Sequence, residues 1–253
     1  MQVQLIRNAT LLLKVAGKTL LVDPLLAPRF QYDPIPQTAN PVRNPTADLP
    51  FPVSELPALV ASLDAVLLTH THLDHWDDVA RELLPKDLPI LCQPADVAAL
   101  QAAGFTQVRP IDTELEWEGI RFYRTGGQHG RGEIGRRMGT VSGFVVEAEG
   151  QRLYVAGDTI WCEEVRQALD LYHPNTIIVN AGAAQFLQGG PIVMTAADVA
   201  QVARHAPQAT VYAVHLEAVN HCAEDRATTK AYLAQEGLTA RVHVPADGEW
   251  LKV

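Results

Sequence analysis

Thr69-His70-Thr71-His72-Leu73-Asp74-His75 places four side chains able to ligate a metal, His70, His72, Asp74 and His75, within six residues. It directly follows Asp64 to Thr69, DAVLLT, an apolar run of the kind found in a strand buried on both faces. In an extended segment residues i and i+2 point the same way, so His70 and His72 can reach one ion together. Asp74 and His75 come next, in a turn, and can point to a second ion beside the first. Imidazole and carboxylate without thiolate suit Zn, Mn or Fe at an open site better than a closed structural zinc site, which usually uses cysteines.

Outward from this stretch, other segments end in the same way. Gly126-Gly127-Gln128-His129-Gly130 sets a histidine among glycines at a strand end, LYVAGD ends in Asp158, and TVYAVH ends in His215. Such repetition predicts a ring of ligands at the carboxyl ends of several strands, where sites of α/β proteins commonly lie. Asn180, ending TIIVN, is expected to point its amide toward the same cleft. Strand-rich segments at 2–24 lead into mixed strand and helix, and the second half repeats that order: strands within 115–158, then helices at 163–172, 196–206 and 225–235 alternating with strands. Two sheets covered by helices follow from this pattern.

Composition narrows the partners. The chain has 253 residues, 47% of them hydrophobic, and a formal charge of −9, so it can bury a real core and is expected to form a single domain over 1–253. Nine surplus carboxylates argue against nucleic acid, whose phosphates need a basic face. No run approaches the roughly 20 apolar residues of a membrane span. Three cysteines without CxxC spacing fit a reducing compartment, and a cytoplasmic location is expected. Nine of the 17 prolines fall between Pro24 and Pro57, which predicts a long loop there, either a surface excursion or a wall or lid over a site.

THTHLDH, then His129, then the AGDT strand end, then His215, resembles the metallo-β-lactamase superfamily of αββα hydrolases along nearly the whole chain. The resemblance implies an αββα sandwich of two mixed sheets. It implies that His70, His72 and His129 hold one divalent ion, that Asp74, His75 and His215 hold the other, and that Asp158 bridges them. The ions would be Zn or Mn, with Fe as a further option. It gives Asp23 of LLVDP a supporting role behind the ligands. Within the superfamily the length and the LLVDP opening look most like the group that includes L-ascorbate-6-phosphate lactonase.

Two ions held close lower the pKa of a water and polarise the group it attacks, so hydrolysis of a small ester, lactone or phosphorylated sugar derivative is expected. Asp74 would also orient the nucleophile. His221, six residues after His215, is the candidate proton donor to the leaving group, with a polar surface histidine as the plain alternative. Arg131, Arg136 and Arg137 could clamp a phosphate or carboxylate of a small anionic substrate, or lie in a solvated loop. Phosphodiester cleavage, including nuclease activity, and a non-hydrolytic iron-binding redox role are the competing readings. The sequence leaves a homo-oligomer open.

Overall fold

A computed structural model describes residues 1–253. The first half runs β1 (Gln2–Arg7), β2 (Thr10–Val15), β3 (Lys18–Val22), α1 (Leu56–Ala61), β4 (Ala65–Leu68), α2 (Asp78–Leu83), β5 (Ile90–Cys92), α3 (Val97–Ala102) and β6 (Val108–Pro110). A strand-rich stretch follows: β7 (Glu114–Trp117), β8 (Ile120–Thr125), α4 (Gly132–Met138), β9 (Gly143–Ala148) and β10 (Gln151–Val155). The chain ends with α5 (Glu163–Tyr172), β11 (Thr176–Asn180), α6 (Ala196–His205), β12 (Thr210–Val214), α7 (Arg226–Gln235), β13 (Val242–His243) and β14 (Trp250–Leu251).

Two seven-stranded sheets result, ordered β14-β1-β2-β3-β4-β5-β6 and β13-β12-β11-β10-β9-β8-β7. Each is mixed: β1, β2 and β3 pair antiparallel, while β3 to β6 run parallel. In the second sheet β7 to β10 pair antiparallel, and β10 to β13 run parallel. The helix-flanked, two-sheet sandwich expected from the sequence is the architecture found.

Side-chain alternation explains why the central strands are apolar throughout. Leu67 of β4 joins the core between the sheets, with Leu5, Val22, Phe122, Phe144, Ile178 and Tyr212. Its neighbours Val66 and Leu68 turn the other way, onto Val60, Trp76, Leu100 and Phe105 beneath the first helical layer. Ile177 and Val179 of β11 likewise face Val165, Leu169, Val199 and Leu233 under the second. A strand with both faces covered has no solvent side on which to place a polar residue.

Three elements depart from expectation. Residues 132–138, whose arginines admit a solvated loop as one alternative, form the short helix α4, docked by Ile134. The last two residues of β14 close the first sheet by pairing with β1, Val3 opposite Leu251, a contact across the whole chain that no local pattern announces. The Pro-rich segment lacks helix and strand only as far as Pro52; Pro57 lies in the first turn of α1, where its missing N–H costs nothing.

The Pro-rich segment is firmly held. The fully buried Arg7 guanidinium donates to the carbonyls of Leu25, Ala27 and Ala47 at 2.6–2.9 Å. Asp77 accepts from Leu26 N and Ala27 N at 3.0 and 2.7 Å while capping α2 through Ala80 N. Asn220 does most: its side chain bonds Ile35 N, Ile35 O, Thr38 Oγ1, Asn40 O and Asn44 Nδ2, and its backbone N–H donates to Asn44 Oδ1.

Candidate metal centre

The carboxyl ends of β4, β8, β10, β11 and β12 converge on one place. His70, His72, Asp74 and His75 follow β4, His129 follows β8, Asp158 follows β10, and His215 is the first residue beyond β12. Parallel strands with coverings on both faces leave only their ends open to solvent, so polar side chains collect there.

Ligand atoms of His70, His72 and His129 lie within 4.8 Å of one another, and so do those of Asp74, His75, Asp158 and His215. His70 Nε2 and His72 Nδ1 are 2.9 Å apart. Asp158 Oδ2 stands between the two sets, 3.9 Å from His70 Nε2, 3.5 Å from His129 Nε2 and 3.2 Å from His75 Nε2. Asp74 Oδ2 is 3.2 Å from His215 Nε2 and 3.8 Å from His75 Nε2. Two ligands about 2.0–2.1 Å from a tetrahedral ion are separated by about 3.4 Å, so these spacings suit donors arranged around cations.

The donor set passes a direct test. His75 Nε2 is buried and has no hydrogen-bond partner, although Asp158 and Asp74 oxygens lie within 4 Å. An orphaned buried nitrogen among carboxylates is costly unless something else occupies its lone pair, and a cation does so. Charge agrees. Burial opposes ionisation of Asp74 and Asp158, yet the neighbouring His75 and His215 hold both carboxyls well below the usual carboxylate range. Burial likewise opposes a charge on His75, but Asp158, Asp74 and Asp23 push it up to about 10. His70 goes the other way, lowered by burial and by His75. The pocket therefore demands positive charge, which protons satisfy in the absence of metal.

A layer of hydrogen bonds aims these ligands. Asp23 accepts from Thr69 N at 2.8 Å and Thr69 Oγ1 at 2.6 Å and meets His75 Nδ1 at 2.8 Å, which turns Nε2 inward. His129 Nδ1 donates to Ile192 O at 2.8 Å. Gln128 N donates to Thr159 Oγ1, and Ile160 N to Gln128 O, both at 2.9 Å, which fastens the His129 segment to the Asp158 segment. His215 takes a left-handed backbone (φ 63°), uncommon for a side chain of its size and of the kind that gathers at functional sites.

The structure brings together all seven residues placed at the metals by sequence. Asn180, expected to aim its amide at the same place, is buried and donates Nδ2 to Asp158 Oδ1 at 2.7 Å, so the amide points at the site and holds a ligand carboxylate there. His221 is buried, not on the surface; its ring lies 6.5 Å from that of His215, its Nδ1 has no partner, and burial pushes it down to about 4. Arg131 is exposed and reaches Trp161 O at 3.4 Å, while Arg136 and Arg137 are exposed in the last turn of α4. Sequence reasoning missed Asn8, which donates Nδ2 to Asp74 O and accepts His215 N, and it missed Asn220. Nothing local distinguishes either asparagine from a turn residue.

Residues 19–216 match the family model of the β-lactamase superfamily domain. The UPF0173 protein YddR of Bacillus subtilis is 38% identical over 253 residues, covering 98% of each chain. Among solved structures, an isothiocyanate hydrolase from Delia radicum gut bacteria superposes with a TM-score of 0.93 at 36% identity, covering 100% of this chain and 99% of that one. A possible metal-dependent hydrolase from Veillonella parvula does so with a TM-score of 0.94 at 37% identity and the same coverage. The chain belongs to the metallo-β-lactamase superfamily and, within it, to the UPF0173 family of metal-dependent hydrolases. No helix is long and apolar enough to cross a membrane.

Proposed function

We propose that this protein hydrolyses a small molecule at an electrophilic carbon, in a lactone, ester, phosphorylated sugar derivative or isothiocyanate, using a pair of divalent cations, Zn or Mn, with Fe as an option. The observation that carries this reading is Asp158 Oδ2, which faces both ligand sets at once. His70, His72 and His129 would hold one ion; Asp74, His75 and His215 would hold the other, with Asp158 shared. When bound, such a pair makes hydroxide available near neutral pH and polarises the group under attack.

The chain's own groups supply the rest. Asp74 offers one oxygen toward His215 and keeps a carboxylate at the point where a nucleophile must be oriented. His221 is the candidate for the leaving group's proton; burial keeps it neutral at pH 7, so it would relay the proton released by the attacking water and not supply one of its own. Asn180 keeps Asp158 aimed, and Asp23 keeps His75 aimed. Ester, lactone and isothiocyanate share a carbon open to attack by oxygen, so one geometry serves all three; the isothiocyanate is included because the full-length relative in Delia radicum gut bacteria carries that activity in its name.

Protein purified and reloaded with Zn or Mn should contain about two ions per chain and turn over at least one member of a panel of lactones, carboxylic esters, isothiocyanates, phosphomonoesters and phosphodiesters. Preferential cleavage of phosphodiesters would move the protein to the nuclease reading. A coloured, iron-loaded protein inert toward the whole panel would move it to the redox reading.

A further inference from the structure

Apart from the three large cores, Ile134, Ala184, Ile192 and Val193 form a small cluster of their own, against which Met138, Phe186 and Cys222 are only partly buried. It adjoins the candidate metal centre on two sides. Ile192 O accepts from His129 Nδ1 at 2.8 Å. The Phe186 ring lies 6.3 Å from His221, tilted by 33°, and His221 lies 6.5 Å from His215. Gln185 N donates to His221 O and Leu187 N to Gln37 O, so Phe186 is held between the His221 segment and the Pro-rich loop. Next to it Leu187 is 68% exposed, and Leu73, between His72 and Asp74 in the chain, is 43% exposed.

Apolar surface beside a polar reaction centre gains stability when a ligand covers it. His221, buried beside the Phe186 ring, ties this apolar surface to the edge of the candidate centre. The geometry points to Phe186, backed by Ile134 and Ile192 and flanked by Met138 and Leu187, as the seat for an apolar, aryl-bearing substituent of the substrate. This rests on the hydrolase reading for the position of the reacting carbon, and it selects aryl-bearing electrophiles over phosphorylated sugars. Rigid, half-buried aromatic rings favour stacking partners, which gives the seat its preference.

Acetate and phenylacetate, titrated calorimetrically into the metal-loaded protein, share one carboxylate and differ by a phenyl group. Wild type should bind phenylacetate at least about tenfold more tightly, the scale of a modest change in apolar contact. F186A should bring the ratio of the two dissociation constants toward one, and F186L should leave it intermediate. A general folding defect would shift both constants together and keep the ratio. Phenylacetate binding no tighter than acetate in wild type, including binding of neither, or an unaltered ratio in F186A, overturns the assignment. Loss of the preference in F186A, in a protein that hydrolyses nothing in the panel, upholds the seat and removes the hydrolase reading; hydrolysis without any phenyl preference does the reverse.

Discussion

At the residue scale, several of the candidate ligands are held from behind: His75 by Asp23, His129 by Ile192 O and Asp158 by Asn180. Asp23 binds three donors from Thr69 and His75, and an amide in its place can serve at most part of that set. Asp23→Asn should therefore weaken metal binding by roughly 10- to 100-fold, as loss of a supporting carboxylate does elsewhere. Competition with a chromogenic chelator measures this, and unchanged affinity would deny Asp23 its supporting role. For His221→Ala, turnover should fall by roughly 10²-fold with metal content intact, the scale of a lost proton donor; unchanged turnover removes His221 from the reaction. His70 and His72 were legible from their i, i+2 spacing, and the full set of seven from the resemblance of THTHLDH, His129, AGDT and His215 to the superfamily. The bond from Asn180 to Asp158 was not legible, because strand-end position tells where a side chain begins and not which neighbour it meets.

At the scale of elements, the Pro-rich segment is held by side chains, since prolines that cannot join a ladder leave its backbone to be bonded in that way. Asn220 is the main fastener, tying residues 35–44 to the stretch between His215 and His221. Asn220→Ala leaves the buried Asn44 amide and the part-buried Ile35 and Thr38 groups without that partner and should cost about 2 kcal/mol. In a chain of this length that lowers Tm by roughly 4–8 °C. Limited proteolysis should then cut preferentially within 35–44; cleavage elsewhere with an unshifted Tm would show that the segment is held without it. The strands and most helices could be read from periodicity, whereas α4 could not. A helix this short has too little internal bonding to announce itself, and Ile134 packing on Ile192 stabilises it from outside.

At the scale of the whole molecule, the buried Asp158 and the partly buried Asp74 in an acidic chain make folding and cation binding one problem. Removal of metal with a chelator should lower Tm by roughly 5–10 °C, the equivalent of about 2.7 kcal/mol at a metal concentration one hundredfold above Kd. Adding Zn or Mn should restore it; a Tm indifferent to chelation would count against a resident metal. Because imidazole ligands must be deprotonated and His75 is pushed up to about 10 without metal, protons compete for the site at every pH below that, and metal affinity read by equilibrium dialysis should fall steadily as pH drops from about 10. The sequence by itself determined the sandwich, the ligand types and the strand ends that carry them, since periodicity and spacing are local properties of the chain. Tertiary structure alone decided that Asp158 faces both ligand sets, that Asn180 grips it, that Asn220 clasps residues 35–44, and that Phe186 stands beside His221. Each of those is a contact between segments distant in sequence, set by how two sheets pack and by which buried polar groups can find a partner.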